Sequence, residues 1–299
     1  MSDAASWQFE EGAEIVPGRS VLRDLGGGTR YEVFLVWDAH MFSICVAKVL
    51  RPDQAADERA LRDLEREAQV LERLQHPVIV RGFDAVLEGP HPHVMIEHLE
   101  GPSLRRLIRR GGPLPLQQLL PLALHVAGAL QYLHNESIVH LDVKPDNIIM
   151  GVPPRLIDLS IARSFERASE LKVPIGTDAY MAPEQCDPQR FDEPVGPAAD
   201  VWGLGATMHR SVSDSRPFPR KKAARDSDVP EERFPQLVNP PEPLPRGMPE
   251  ELAALIGSML DPEPGARPTA GEVAERLEPL VAELPRKVPF GKRGVLGIR

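Results

Sequence analysis

The segment His140-Leu141-Asp142-Val143-Lys144-Pro145-Asp146-Asn147 decides how the rest of the chain is read. Within eight positions it places a carboxylate, a cation two residues on and a carboxamide five residues on. Phosphoryl transfer calls for such a set: a group to orient the attacking hydroxyl, a positive charge to balance the γ-phosphate, and an oxygen ligand for Mg²⁺. A second acid, Asp158, follows eleven residues after Asn147. Between them lie two short apolar runs, residues 147–150 and 155–157, split by Pro153-Pro154. That pattern predicts a hairpin across which Asn147 and Asp158 could share one metal ion.

Upstream of this segment the chain reads first as strands. Residues 21–25, 31–37 and 42–50 are rich in β-branched and aromatic side chains, and Gly26-Gly27-Gly28 lies between the first two, which predicts a hairpin. Residues 57–74 turn helical, with Leu61, Leu64, Ala68, Leu71 and Leu74 at three- and four-residue steps. Strand character returns over 78–83 and 94–99, and Gly101-Pro102 breaks the chain. Downstream, helices are expected from 104, over 116–134, 200–211, 249–260 and 272–284, with a Pro-rich, charged surface connection over 213–248. A strand-rich first part followed by a helix-rich second part is an α+β pattern with a cleft between two lobes.

Bulk properties narrow the function classes. The 299 residues suit one large bilobal domain, and 42% hydrophobic with 26% charged residues is ordinary for a soluble globular chain. A net charge of -9 argues against a nucleic-acid or anionic-membrane binder. No apolar stretch approaches the roughly 20 residues of a membrane helix, and residues 1–12 have no apolar run of the secretory kind. Cys45 and Cys186 form no disulfide framework, so a reducing, cytoplasmic setting is expected, with Cys45 a small core residue.

Taken together, these residues resemble the protein kinase family in its bacterial, eukaryotic-like serine/threonine form. Residues 140–147 look like the catalytic loop, and Asp158-Leu159-Ser160 like the Asp-Phe-Gly metal motif. Met181-Ala182-Pro183-Glu184 resembles the Ala-Pro-Glu that closes the activation segment, and residues 200–205 the helix whose Asp supports the catalytic loop. The likeness runs from about residue 21 to about 284 and implies a bilobal protein kinase fold: N-terminal extension 1–17, kinase domain 18–284 with N-lobe 18–99 and C-lobe 103–284, and a short basic tail 285–299.

The resemblance also implies roles. Asp142 orients the substrate hydroxyl and accepts its proton, and Lys144 steadies the γ-phosphate; Asn147 and Asp158 hold Mg²⁺. Lys48, in Val46-Ala47-Lys48, contacts the ATP phosphates with Glu67 as its helix partner, nine residues before His76-Pro77 as in bacterial relatives. Gly26, Gly28 and Val33 belong to the glycine-rich loop. Adenine sits under Ala47 against a hinge from Glu97 to Leu99, with Ile96 guarding the back pocket. Thr177 positions substrate, while His140, Glu184, Asp200 and Arg267 are structural, Arg267 pairing with Glu184. Lys144 and Gly176-Thr177 resemble the serine/threonine pattern. The implied partners are protein substrates with Ser or Thr acceptors.

Seen one at a time, several of these residues have plainer readings. Lys48 could be a snorkelling edge lysine and Glu67 a solvated helix acid. The sequence also departs from the family pattern. Tyr31 stands at the third glycine of the loop, Leu141 replaces the Arg before the catalytic Asp, and Leu159-Ser160 replace Phe-Gly. Ser160 loses the free φ of glycine. Two rival readings follow: a pseudokinase acting as a nucleotide-binding or scaffold module, and a small-molecule phosphotransferase of the same fold. Leu141 cannot recruit a phosphate, and Arg163, Arg167 and Lys172 lie on the same segment as Ser164 and Ser169. Activity is therefore expected without activation-segment phosphorylation, with control through a regulatory partner protein or expression.

Overall fold

The structure is a computed structural model that describes residues 5–213 and 215–285; the basic tail predicted over 285–299 lies, but for its first residue, outside them. The N-lobe is a six-stranded antiparallel sheet in the order β1-β2-β3-β4-β6-β5. Its strands are β1 (Glu14–Val16), β2 (Arg19–Gly27), β3 (Tyr31–Asp38), β4 (Ser43–Leu50), β5 (Gly82–Val86) and β6 (His93–Glu97). Alternation along β3 buries Phe34 and Val36, whereas β4 is buried along most of its length because β3 and β6 flank it. The residues before β2 pack on this sheet. Trp7 Nε1 donates to the Leu50 carbonyl at 2.7 Å, and Phe9 meets Phe34 edge-on with ring centroids 5.5 Å apart.

Helix α1 (Glu58–Arg73) follows β4 and starts where the Asp57 carboxylate accepts from Ala60 N at 2.7 Å, a side-chain cap that satisfies one orphan amide. Its buried face touches both lobes. Ala60 and Leu64 pack under the sheet with Leu50 and Val94, and Val70 and Leu71 join the C-lobe core. Glu67 lies between those two contacts on the same face.

Residues 78–83, expected as a strand, divide in two. The strand is Gly82–Val86, while Val78 and Val80 bond across to Leu156 (Leu156 N to Val78 O 2.6 Å; Val80 N to Leu156 O 2.9 Å). These apolar residues cross from one lobe to the other, so their β-propensity serves burial rather than the sheet.

The C-lobe is helical: α2 (Leu104–Gly111), α3 (Leu116–Asn135), then, after the short strands β7 (Ile138–Val139), β8 (Ile148–Ile149), β9 (Arg155–Leu156) and β10 (Arg163–Ser164), α4 (Phe165–Ser169), α5 (Pro183–Cys186), α6 (Pro197–Val212), α7 (Pro230–Arg233), α8 (Glu250–Met259) and α9 (Ala270–Ala282). The predicted hairpin is β8 paired with β9. Almost every residue of α6 is buried. A Cβ at Gly203 would stand 3.0 Å from Val143 Cβ and O, so glycine there lets the segment around Val143 lie directly on α6. The connection 213–248 crosses the surface as expected, yet Phe218, Phe234 and Gln236 anchor it in the interior. Among the described residues no helix is long and apolar enough to cross a membrane.

Candidate active site

Lys48 is an interior side chain, not an edge lysine: β4 is paired on both sides and Lys48 is buried. Its ammonium donates to both carboxylate oxygens of Glu67, at 2.8 and 2.9 Å, and to Asp158 Oδ1 at 2.9 Å. Burial opposes the charge on Lys48, but Asp158 and Glu67 outweigh it and raise the ammonium above its ordinary range. Burial likewise resists ionisation of Asp158; Lys48 prevails and holds this carboxyl well below the usual carboxylate range. Glu67, more deeply enclosed, is pushed up by burial, with Lys48 pulling the other way.

The catalytic loop forms a second cluster. Lys144 Nζ donates to Asp142 Oδ2 at 2.5 Å and to Thr177 Oγ1 at 2.6 Å, and Thr177 donates to Asp142 Oδ1 at 2.7 Å. The Asn147 amide donates to the Asp142 carbonyl and to Oδ2, both at 3.0 Å. Thus Asp142, Lys144, Asn147 and Thr177 meet as expected. The link to the first cluster runs through the backbone: Ile157 N bonds to the Asn147 carbonyl at 2.9 Å, next to Asp158.

Beneath them, Asp200 at the start of α6 accepts from His140 N (2.8 Å), Leu141 N (2.7 Å) and His134 Nε2 (3.0 Å). Leu141 has φ 65°, a left-handed conformation that costs a side-chain-bearing residue about 1–2 kcal/mol. It is held there because Asp200 takes its N–H while Gln185 Nε2 donates to its carbonyl at 2.9 Å. His140 is fully buried. Its Nδ1 accepts from Asp142 N at 3.2 Å, so Nε2 carries the proton and donates to Ile157 O. Arg267 forks onto Glu184 at 2.7 and 2.8 Å, with both side chains essentially inaccessible.

The departures from the family pattern now have a setting. Positive φ falls at Asp158 (67°) and not at Ser160, so serine there is under no backbone strain. Leu141 is buried in the C-lobe core. The Tyr31 ring covers Lys48, its centroid 4.5 Å from Nζ, and burial pushes its phenol up to about 12. Among the described residues the Tyr31 hydroxyl has no partner.

Other expected site residues are less tightly assembled. Ala47 is fully buried, Val33 lies opposite Lys48 on β3, and Ile96 and Leu99 are half-buried against the C-lobe core. The Glu97 carboxylate is taken by Arg81 at 2.7 Å and Arg155 at 2.8 Å, and its backbone N–H donates to the Arg81 carbonyl at 2.9 Å. Gly26 and Gly28 are exposed; their amides bond within their own hairpin, to Asp24 Oδ1 and the Tyr31 carbonyl, and the Gly28 carbonyl accepts from Arg51 Nε at 2.7 Å.

Sequence reasoning missed Tyr31 over Lys48 and the Gln185 clamp, neither of which has a local spacing signal. It also missed Arg59, Arg62 and Arg66. These come from α1 to line, with Arg163 and Arg167, one cavity of about 730 Å³ that reaches Asp142 and Thr177. Burial lowers the Arg163 guanidinium, and Arg66, Arg167 and Arg59 lower it further. The basic groups facing the activation segment are therefore not confined to that segment.

Comparison with known proteins agrees with this geometry. The family model described as "Protein kinase domain" matches residues 19–277. The serine/threonine-protein kinase Pkn2 of Myxococcus xanthus is 31% identical over 281 residues, 88% of this chain and 32% of its own length. The serine/threonine-protein kinase PknB of Mycobacterium leprae is 32% identical over 203 residues, 65% of this chain and 32% of its own. The serine/threonine-protein kinase PkaA of Streptomyces coelicolor is 32% identical over 246 residues, 79% and 42%. The chain thus spans about a third of the length of Pkn2 and PknB and somewhat more of PkaA. With the family model covering most of its length and its ion pairs closed around Lys48 and Asp142, the chain belongs to the protein kinase domain family, and its likeness is to bacterial serine/threonine members.

Proposed function

We propose that the chain transfers the γ-phosphate of ATP to serine or threonine hydroxyls of protein substrates. The observation that carries this reading is the joint closure of two clusters, Lys48 with Glu67 and Asp158, and Asp142 with Lys144 and Thr177. Phosphoryl transfer depends on positioning and charge stabilisation, so both must be in place together.

The donor set fits Mg²⁺. Asn147 uses its amide nitrogen on Asp142, which leaves its oxygen as a ligand, and Asp158 offers an ionised carboxylate. Two hard oxygens suit a small cation that keeps waters and takes further ligands from phosphates. Among the described residues no group of three or more His, Cys, Asp or Glu makes a self-sufficient metal site. When bound, Mg²⁺ would neutralise charge on the β- and γ-phosphates. Lys48, oriented by Glu67, would hold the α/β-phosphates. Asp142 aligns the acceptor hydroxyl and takes its proton at a carboxylate oxygen, while Lys144 balances charge beside it. Thr177 ties the substrate-binding segment to both, the arrangement expected for serine/threonine acceptors. Both cysteines are free and buried, in keeping with a reducing cytoplasmic setting.

The test is transfer of label from γ-labelled ATP with Mg²⁺ into the chain itself and into a generic protein substrate. Asp142→Asn should stay folded and lose about 10²–10⁴-fold in rate, the usual range for a general base. Asp158→Ala should lose the Mg²⁺-dependent thermal shift with ATP. Near-normal turnover in Asp142→Asn overturns the assignment; nucleotide binding without any transfer favours a pseudokinase.

A further inference from the structure

A second concave surface adjoins the catalytic loop on the C-lobe. Arg105 and Arg109 of α2, Arg210 of α6 and Arg216 just beyond it line a cavity of about 290 Å³ with Asp146 and Tyr180. Its location follows from connectivity. Asp146 sits in the same helical turn as Asn147, four residues after Asp142. Tyr180 lies three residues after Thr177, and Tyr180 N bonds to the Thr177 carbonyl at 2.8 Å. A peptide whose hydroxyl sits at Asp142 therefore runs past this cavity within a few residues of the acceptor.

Charge on the cavity wall is lopsided. Among the described residues Asp146 is the one carboxylate that lines it, and Arg105 takes it at 2.7 Å. Among the described residues Arg109, Arg210 and Arg216 have no ion-pair partner; Arg210 Nη1 donates to the Ser213 carbonyl at 2.5 Å. Three guanidinium groups without an ion-pair partner among the described residues converge here in a chain whose net charge is -9. Guanidinium forks match carboxylate and phosphate oxygens two at a time. A cationic substrate residue would instead meet like charge, with the single carboxylate already occupied. Tyr180, buried at the back, adds a phenol that burial raises above its ordinary value.

From this we infer that the cavity of Arg105, Arg109, Arg210 and Arg216 selects substrates carrying an anionic side chain close to the acceptor Ser or Thr. The inference rests on the kinase reading of the same site and adds the class of substrate. The anion is a carboxylate of Asp or Glu, or the phosphate of a residue phosphorylated beforehand.

The test uses matched serine-acceptor peptides with Asp, phosphoserine or Arg at each of the four positions on either side of the acceptor. The best acidic or phosphorylated peptide should exceed its Arg counterpart by tenfold or more in kcat/KM, mainly through KM. Preference for Asp over phosphoserine, or the reverse, identifies which anion the cavity takes. Arg210→Glu/Arg216→Glu should raise KM for that peptide and lower it for the Arg peptide, whereas Arg210→Lys/Arg216→Lys should retain most of the selectivity. A preference for Arg peptides in the wild type, or a fall in kcat equal for all peptides in the Glu variant, overturns the proposal. A second arm needs no turnover: fluorescence anisotropy of the same peptides with Ala at the acceptor. Tighter binding of the anionic peptide supports the cavity even where no phosphate is transferred, and equal or weaker binding overturns it. Absence of transfer to every peptide counts against the kinase reading alone.

Discussion

Around Asp142, backbone and side-chain polar groups of residues 140–147 are tied to the C-lobe: Asp200 holds two amides, Gln185 holds a carbonyl, and Gly203 brings α6 into contact. Around Gly27 the situation is reversed. The hairpin between β2 and β3 is exposed; the amides of its tip bond within it, and Arg51 ties it to the end of β4 through the Gly28 and Arg30 carbonyls. One region is a charged constellation preorganised by a buried scaffold, and the other is an exposed backbone cover tied down by surface contacts of Arg51 and Asp63. The difference matches what each must do. Groups that stabilise developing charge lose effectiveness if they reorganise during the reaction, whereas a cover over nucleotide phosphates has to admit and release its ligand.

The sharpest way to break this comparison is to loosen the lower scaffold. Arg267→Met leaves the Glu184 carboxylate buried without its partner, which should cost about 3–5 kcal/mol of stability. Chemical denaturation of the variant checks it, with the double variant Arg267→Met/Glu184→Leu expected to recover part of the loss. A loss below about 1 kcal/mol would mean that the C-lobe tolerates slack and that rigidity does not separate the two regions.

A smaller effect is expected in the upper region, and it should fall on nucleotide affinity instead of stability. A Cβ on Gly27 would collide with the Tyr31 carbonyl, whereas Gly28 faces open space. Gly27→Ala should raise KM for ATP roughly tenfold, about 1.4 kcal/mol, with little change in thermal midpoint, and Gly28→Ala, which leaves the hairpin's shape intact, should raise it less. Equal effects of the two substitutions would show that the hairpin's shape is not what the nucleotide reads.

The smallest effect concerns pH and touches both lobes. Burial lowers the pKa of His93 at the start of β6 and of His209 in α6. The unfolded chain titrates these groups near 6.5, so below that pH it binds more protons than the folded chain does. The stability they contribute is present above about pH 6.5 and is lost as pH falls below it. Thermal midpoints measured between about pH 7.5 and 5.5 should decline, with a shallower decline in His209→Gln and in His93→Gln. An unchanged slope in both variants would assign the acid sensitivity to other groups.

Local spacing made much of this protein legible before folding. Asp142, Lys144 and Asn147 lie within six residues, so one loop can bring them together; β-branched and aromatic composition marked β2 to β4, and apolar three- and four-residue steps marked α1. Those signals work because a pleat or a helix turn is set by covalent geometry over a few residues. The boundary errors were of another kind. Val78 to Val80 have strand composition, but they bond across the lobes to Leu156.

What folding alone supplied is the geometry that joins distant segments, including the pairs Lys48–Glu67 and Arg267–Glu184 that the family resemblance implied. Lys48, Glu67 and Asp158 come from β4, from α1 and from just beyond β9, and their mutual charges move each other's proton affinities only once burial has removed water. The same holds for Arg105 and Arg109 facing Arg210 and Arg216 across about a hundred residues of chain. Each reads along the sequence as one more solvated surface charge. Their convergence beside Asp146 and Tyr180 depends on how α2 and α6 pack around the catalytic loop, and packing is a property of the whole core, which no stretch of a few residues encodes.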